Sequence, residues 1–451
     1  MKKRMYKIMA LAMTAAMVVP MAAQTTAFAA DDKEITYWNI AVESPDKDIV
    51  TAAVDKFNKE TESGYTVNSV AIQNDTYKEK LVIAMSSGEC PDMYSSWSGG
   101  PMYEYIDSGF AQPIDDLLDQ SDIKDKLLDA AIEQGSYKGH VYAIPYMNVV
   151  LAGIFYNKDM FKQYGLEEPK TLADLENICA TLKENGITPF ALANGSKWTG
   201  SMYFMSLAAR YGGLEPFQNA VAGAGKFTDD CFIKAGEKIQ EWVKNGYFPD
   251  GVNSLSEDDG QAKQLLYQET AGMMLGGSFY TGAFQTDSEE FYQKKIGWFP
   301  IPAIDGSDAD PTIQIGTVGD QFISFNCEGD KLAAAFECAA DHLSDEVEDM
   351  IYSTGKIAPV KDAGDHISDP VVKEIFDAAQ EASSIQLWYD QYLPTSVASA
   401  HLDGLQEVFG LTKTPQEAQE EMQTAMDEYL STKSDSGAAD DTAEEATDDA
   451  E

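Results

Sequence analysis

Basic residues are scarce in this 451-residue chain: 32 Lys and Arg stand against 75 Asp and Glu, for a formal charge of −43. A surface of that sign repels phosphate backbones and anionic lipid, which excludes nucleic acid and membrane surfaces as partners. Cysteine is also scarce, with five in all, an odd number with no CxxC pair. That excludes a disulfide scaffold, a cysteine zinc site and a thioredoxin-like motif, and leaves buried free thiols as the expectation. The four histidines, at 140, 342, 366 and 401, follow no metal-binding spacing. No GxSxG or HExxH occurs, and Gly223-Ala224-Gly225-Lys226-Phe227 lacks the first Gly and the Ser/Thr of a phosphate loop. The acidic stretch Asp305–Asp310 is followed by Pro311 and does not match a calcium loop. No catalytic residue, metal or cofactor is indicated.

Long apolar runs are absent apart from Ile8–Ala23, which is short of the ~20 residues that span a bilayer. It follows Lys2, Lys3, Arg4 and Lys7 and precedes Ala27-Phe28-Ala29, the pattern of a secretory signal cleaved after Ala29. Residues 1–29 are therefore expected to be a signal peptide and the remainder to be exported. No Cys follows the run, so no lipid anchor is expected. At the other end, residues 431–451 hold many acids and no aromatic or large aliphatic residue. They cannot bury enough apolar area to offset ordering entropy and are expected to be a disordered acidic tail.

Between these ends, strand and helix signals alternate. Ile35–Ile40, Tyr65–Ala71 and Asp92–Trp97 read as strands, and Asp46–Glu60 and Thr76–Met85 as helices. That β-α-β-α-β order predicts an α/β fold with a parallel sheet whose ligands lie beyond the carboxyl ends of the strands. A second α/β region starts with the strand Val150–Tyr156 and includes a helix capped by Thr171, another over Thr228–Asn245 and a strand ending at Gly276-Gly277. Lys295–Ile301 and Thr312–Phe325 read as extended, and helices close the chain.

Aromatic residues beside Gly, Asn and Asp recur in the predicted loops: Ser96–Gly100, Tyr146–Asn148, Gly195–Gly200, Gly276–Tyr280 and Gln386–Asp390. Thr317–Asp320 is a further polar loop. A pyranose has an apolar C–H face that a flat ring can cover, and a rim of hydroxyls that Asp, Asn or Gln can accept. Trp198, Trp97, Phe279, Tyr280 and Trp388 are the candidate stacking rings. Asp320 and Asp390 are the candidate hydroxyl acceptors, with Asn39, Glu43, Gln73, Ser98 and Asn148 as further polar candidates.

Ordered motifs extend this reading: Ile35-Thr36-Tyr37-Trp38-Asn39, Phe57-Asn58-Lys59-Glu60, Tyr77-Lys78-Glu79-Lys80-Leu81, Cys90-Pro91-Asp92-Met93-Tyr94, Gly139–Pro145, Ile154–Phe161, Glu168-Pro169-Lys170-Thr171 and Gly272–Gly277. In this order and spacing, over roughly 33–430, the chain resembles extracellular solute-binding protein family 1, the carbohydrate ABC importer binding proteins that include maltose-binding protein. Gln386–Pro394 resembles the raffinose/multiple-sugar branch. The resemblance implies a two-lobed periplasmic-binding-protein-like fold with a hinge and an interlobe cleft. Mapped here, 30–148 plus 282–328 would form lobe 1, and 149–281 plus 329–430 lobe 2. It implies a non-enzymatic monomer that captures a sugar, an oligosaccharide by preference, and delivers it to ABC transporter permease subunits. A secreted glycoside hydrolase and a polyamine- or cation-binding protein of the same fold are the rival readings.

Overall fold

The computed structural model describes residues 33–445. The expected signal peptide, 1–29, lies outside the described residues. Two sheets organise the chain. In the first, β1 (Glu34–Asn39) lies parallel to both β2 (Thr66–Ala71) and β3 (Met93–Ser96), with α1 (Asp46–Glu60) and α2 (Asn74–Ser87) as the crossovers. Strands Phe322–Phe325 and Ala143–Pro145 complete it, both antiparallel at their shared edges. Strict alternation builds this layer. Ile35, Tyr37 and Asn39 are fully buried, and Ile35 and Tyr37 share a core with Ile49, Ala53 and Phe57 of α1. Trp38, on the opposite face, packs with Tyr77 and Leu81 of α2.

The second sheet is built on Val149–Asn157, all nine residues of which are buried. It pairs antiparallel with Ala271–Gly277, Gln314–Val318 and Ile296–Phe299. Its two faces feed different cores: Val150, Ala152 and Ile154 pack with the helix Trp198–Gly212, whereas Leu151 and Phe155 pack with the helix Tyr280–Lys295. This double burial explains an apolar run without alternation. Thr171 caps the helix Leu172–Glu184 in a reciprocal box with Asp174. All five cysteines are free thiols; Cys90 is half-buried and the other four are buried.

Four expectations are corrected. Residues 282–318 do not belong with the first sheet, because Ile296–Phe299 and Gln314–Val318 hydrogen-bond to Val149–Asn157 in the second. The stretch read as one extended run, 312–325, is two strands in different sheets, and 319–321 is the crossing between them. Residues 329–366 do not belong to the second lobe: Ala335, Phe336 and Val347 share the core of α1 and β1. Pattern identifies a strand or helix, but sheet membership is set by hydrogen bonds between distant segments. Finally, the helix that starts at Pro415 runs to Glu445, through much of the expected disordered tail. The helix is already nucleated by packing at Ala418, Met422 and Met426, and once a nucleus exists each added residue gains a hydrogen bond without repeating the nucleation cost. Residues 446–451 lie outside the described residues.

An interlobe cleft lined by tryptophan and carboxylates

The loops beyond β1, β2 and β3 face the second lobe across a cleft of about 590 Å³. The first lobe contributes 40–46, Gln73, Asn74, Lys78 and Trp97. The second contributes Trp198, Met202, residues 257–260, Phe279, Tyr280, Trp388, Asp390 and Gln391, and the crossing segment adds Asp320 and Gln321. Among the described residues no helix is long and apolar enough to cross a membrane, and no side-chain cluster has the make-up of a metal site.

Nine of the sequence candidates line this cleft: Glu43, Gln73, Trp97, Trp198, Phe279, Tyr280, Asp320, Trp388 and Asp390. Trp97 is half-buried against Tyr77, edge to face at 5.9 Å, with the Lys78 ammonium 4.8 Å over its ring. Trp198 meets Phe279 edge to face at 6.0 Å, and Phe279 leans on Tyr280 at 4.7 Å. Lys197, just before Trp198, holds a left-handed φ of 62°, a strained setting for a side chain larger than glycine. Its Nζ is tied to Asp403 at 2.6 Å. The strain therefore sits where the chain turns to start the helix that carries Trp198. Trp388 touches the cleft but is only 3% exposed and belongs to the second core, so most of its ring serves packing.

The other three candidates fall elsewhere. Asn39 is fully buried; it donates to Ser69 Oγ at 2.8 Å and accepts the Ala41 amide at 3.0 Å, which fixes the turn after β1. Asn148 is buried at the crossing between the lobes, where its Oδ1 accepts the Ile357 amide at 2.8 Å. Ser98 is buried and does not line the cleft. It precedes Gly99 and Gly100, whose missing side chains allow close approach. A Cβ on Gly99, at φ 116°, would lie 2.3 Å from the Gln391 carbonyl oxygen. Asn, Ser and Gly after a strand read alike whether they bind a ligand or shape the turn.

Sequence reasoning found Glu43, Asp320 and Asp390 but missed Glu257 and the lysines of the cleft. Lys78 Nζ reaches across it to Asp390 Oδ2 at 3.0 Å. Lys263 donates to Asp287 at 2.9 Å, and the buried Lys356 pairs with Asp46. Glu257 is 9% exposed, and its Oε2 has no hydrogen-bond partner. Burial pushes its carboxyl up to about 8, with the neighbouring Asp258 and Asp75 adding to the rise and the Tyr280 hydroxyl and Lys263 opposing it. That Tyr280 hydroxyl is close enough to interact, yet its geometry falls short of a hydrogen bond. Asp320 is half-buried, and desolvation raises its carboxyl to about 7, against the pull of Lys356. At the rim, Asp75 accepts from Ser196 Oγ at 2.7 Å while its amide donates to Asp258 at 3.1 Å, so the two lobes also touch there. Glu257 and Asp258 lie in Ser256-Glu257-Asp258-Asp259-Gly260, which reads as a solvated acidic turn. Their burial has no signature in a chain with 75 acids.

The chain belongs to the bacterial extracellular solute-binding proteins, whose family model matches residues 41–340. Among curated relatives it is 31% identical over 229 residues to an uncharacterised ABC transporter extracellular-binding protein of Pyrococcus horikoshii, covering 50% of each. It is 28% identical over 242 residues to the maltotriose-binding protein of Pyrococcus abyssi, covering 53% of this chain and 48% of that one. The matched stretch thus spans about half the length of these relatives. A solved structure described in work on xylan utilization by Caldanaerobius polysaccharolyticus is similar with TM-score 0.79 and 29% identity, covering 87% of this chain and 99% of that one. A chitin oligosaccharide binding protein has the same fold, with TM-score 0.80 at 22% identity, covering 88% of this chain and 98% of that one.

Proposed function

We propose that the chain is the exported, extracellular solute-binding component of an ABC importer. It captures a sugar, an oligosaccharide by preference, between its lobes and delivers it to permease subunits without turning it over. The observation that carries this reading is the pairing of Trp97 and Trp198, one from each lobe, in a cleft that also presents Asp320, Asp390 and Gln321. Half-buried indole rings offer flat apolar surface to sugar faces, and the carboxylates and amide accept or donate to hydroxyls. A cleft of about 590 Å³ has room for more than one sugar ring. Because the ligand touches both lobes, it stabilises the closed form by its extra contacts there, which is the state a permease could recognise.

Thermal unfolding of the chain against a panel of sugars tests the reading. A ligand at about 100 times its Kd adds roughly 2.7 kcal/mol of stability. A shift with one oligosaccharide class supports the proposal, and silence with every sugar sinks it. Long incubation with any sugar that binds, followed by product analysis, separates capture from hydrolysis. Appearance of shorter sugars would make the chain a hydrolase.

A further inference from the structure

The charge in the cleft is unbalanced, and it is unbalanced around one built-in group. Both cleft lysines are already engaged, Lys78 with Asp390 and Lys263 with Asp287. Glu43, Glu257, Asp258, Asp259 and Asp320 also line the space. Most of these carboxylates can stay in water. Glu257 cannot: it lines the cleft, is nine-tenths buried, and its Oε2 is covered from solvent without a hydrogen-bond partner. Beside it the Tyr280 hydroxyl, itself 5% exposed, is also unpartnered, and so is the indole Nε1 of Trp198. Three polar atoms on neighbouring cleft residues thus lack partners from the protein.

Their chemistry differs, and the difference selects the ligand. A carboxyl oxygen and a phenol oxygen can both accept, whereas the indole N–H can only donate. A neutral hydroxyl brings one proton and no charge. A protonated amine brings three donors and a positive charge, which a buried carboxylate, two neighbouring acids and the face of Trp198 all favour. The indole N–H is left for an oxygen of the same molecule. We propose that the occupant of this cleft is an amine-bearing sugar whose ammonium is received by Glu257 and Tyr280 beside Trp198. This inference rests on the sugar-binding reading above. The groups facing Glu257 are Tyr280, Lys263, Asp258 and Asp75.

The test is calorimetry on the full chain with short glucosamine oligomers, their N-acetylated counterparts of equal length, and spermidine, at low and high salt. Acetylation removes the charge and keeps the ring. The free-amine oligomer is expected to bind at least about tenfold more tightly than its N-acetylated counterpart, with the preference shrinking as salt screens the cleft. In Glu257→Gln the ratio of the two affinities is expected to fall toward one. Equal or tighter binding of the N-acetylated or another neutral sugar overturns the amine proposal and leaves the sugar reading standing. Binding of spermidine with no sugar, or no binding at all, overturns both. If the variant does not fold, the wild-type salt response decides, and a preference insensitive to salt overturns the proposal.

Discussion

Asn148 ties a crossing between the lobes to Ile357: its side-chain oxygen accepts the Ile357 amide at 2.8 Å. The Asn148 backbone carbonyl accepts the Asp320 amide at 2.7 Å, and the Val149 amide donates to the Ile357 carbonyl at 2.7 Å. Three separate segments thus meet at one buried residue. An asparagine suits this point because its side chain is a short, neutral copy of a peptide group, able to satisfy an amide that no strand partner reaches. Asn148→Ala would leave the Ile357 N–H buried without an acceptor. The expected cost is about 1–3 kcal/mol, read as a lower urea midpoint. An unchanged midpoint would show that the crossing does not depend on this bond.

The tryptophans of the cleft separate by what supports them. Trp198 is half-buried, and its ring is held by Phe279; Trp388 is 3% exposed inside the second core. Trp198→Ala should weaken sugar affinity by about 0.5–1.5 kcal/mol from lost stacking, plus the apolar area the sugar no longer covers. Its melting temperature should fall less than that of Trp388→Ala. That second change opens a core cavity and should cost about 3–5 kcal/mol of stability. Parallel titration and melting of both variants checks the contrast. If Trp198→Ala binds sugar like the parent, the stacking role is misassigned.

How much of this was legible in sequence follows from what each signal encodes. The β-rich run Ile35–Ile40 marked β1, and Thr171 announced a helix start that the structure shows as a reciprocal cap with Asp174. Aromatics beside turn-forming residues led to six cleft residues, Trp97, Trp198, Phe279, Tyr280, Trp388 and Asp390, because a ring in a loop at a strand end is costly to leave in water unless it packs or binds. The same logic could not separate Asn148 or Asn39 from ligand-binding residues, since a buried Asn that satisfies backbone and one that grips a hydroxyl use identical atoms. Glu257 was invisible for a different reason. Its sequence neighbours are acids and a glycine, and only the packing of Tyr280 and the loop near Ser196 takes it out of water.

Glu257 also predicts a pH dependence. Its folded-state carboxyl is raised from 4.5 to about 8, so the folded protein holds that proton more tightly than the unfolded chain does. A raised carboxyl favours the fold at low pH. Its contribution is fully present below the unfolded value and is lost progressively as pH climbs toward the folded one. Glu257→Gln mimics the protonated side chain at every pH. The variant and the parent should therefore melt together at about pH 4, and the variant should be the more stable by a few kcal/mol at about pH 9. Melting curves across that range settle it. A constant difference at all pH values would mean that Glu257 is not buried in the folded chain.

Lys78 and Asp390 bear on how the lobes close without a ligand. The pair spans the cleft at 3.0 Å, from α2 of the first lobe to the short helix Tyr389–Tyr392 of the second. Asp390 is largely covered and Lys78 is partly exposed, so water screens one end of the bond and its net worth is on the order of 0–1 kcal/mol. That is too little to alter unfolding by much, but it acts on a different balance. An energy of about 0.5–1 kcal/mol moves an open–closed ratio by a factor of about 2–5. Lys78→Met keeps an unbranched side chain of similar length and removes the charge, both from Asp390 and from over the Trp97 ring. The variant should unfold within about 0.5 kcal/mol of the parent, and its ligand-free form should have a larger radius of gyration by small-angle scattering, an excess that vanishes when sugar is saturating. Raising the salt concentration on the parent should move it the same way, because screening weakens the half-exposed pair. A ligand-free radius identical in the two proteins would show that closure is set by the Asp75–Ser196 and Asp75–Asp258 contacts at the rim rather than by this bridge.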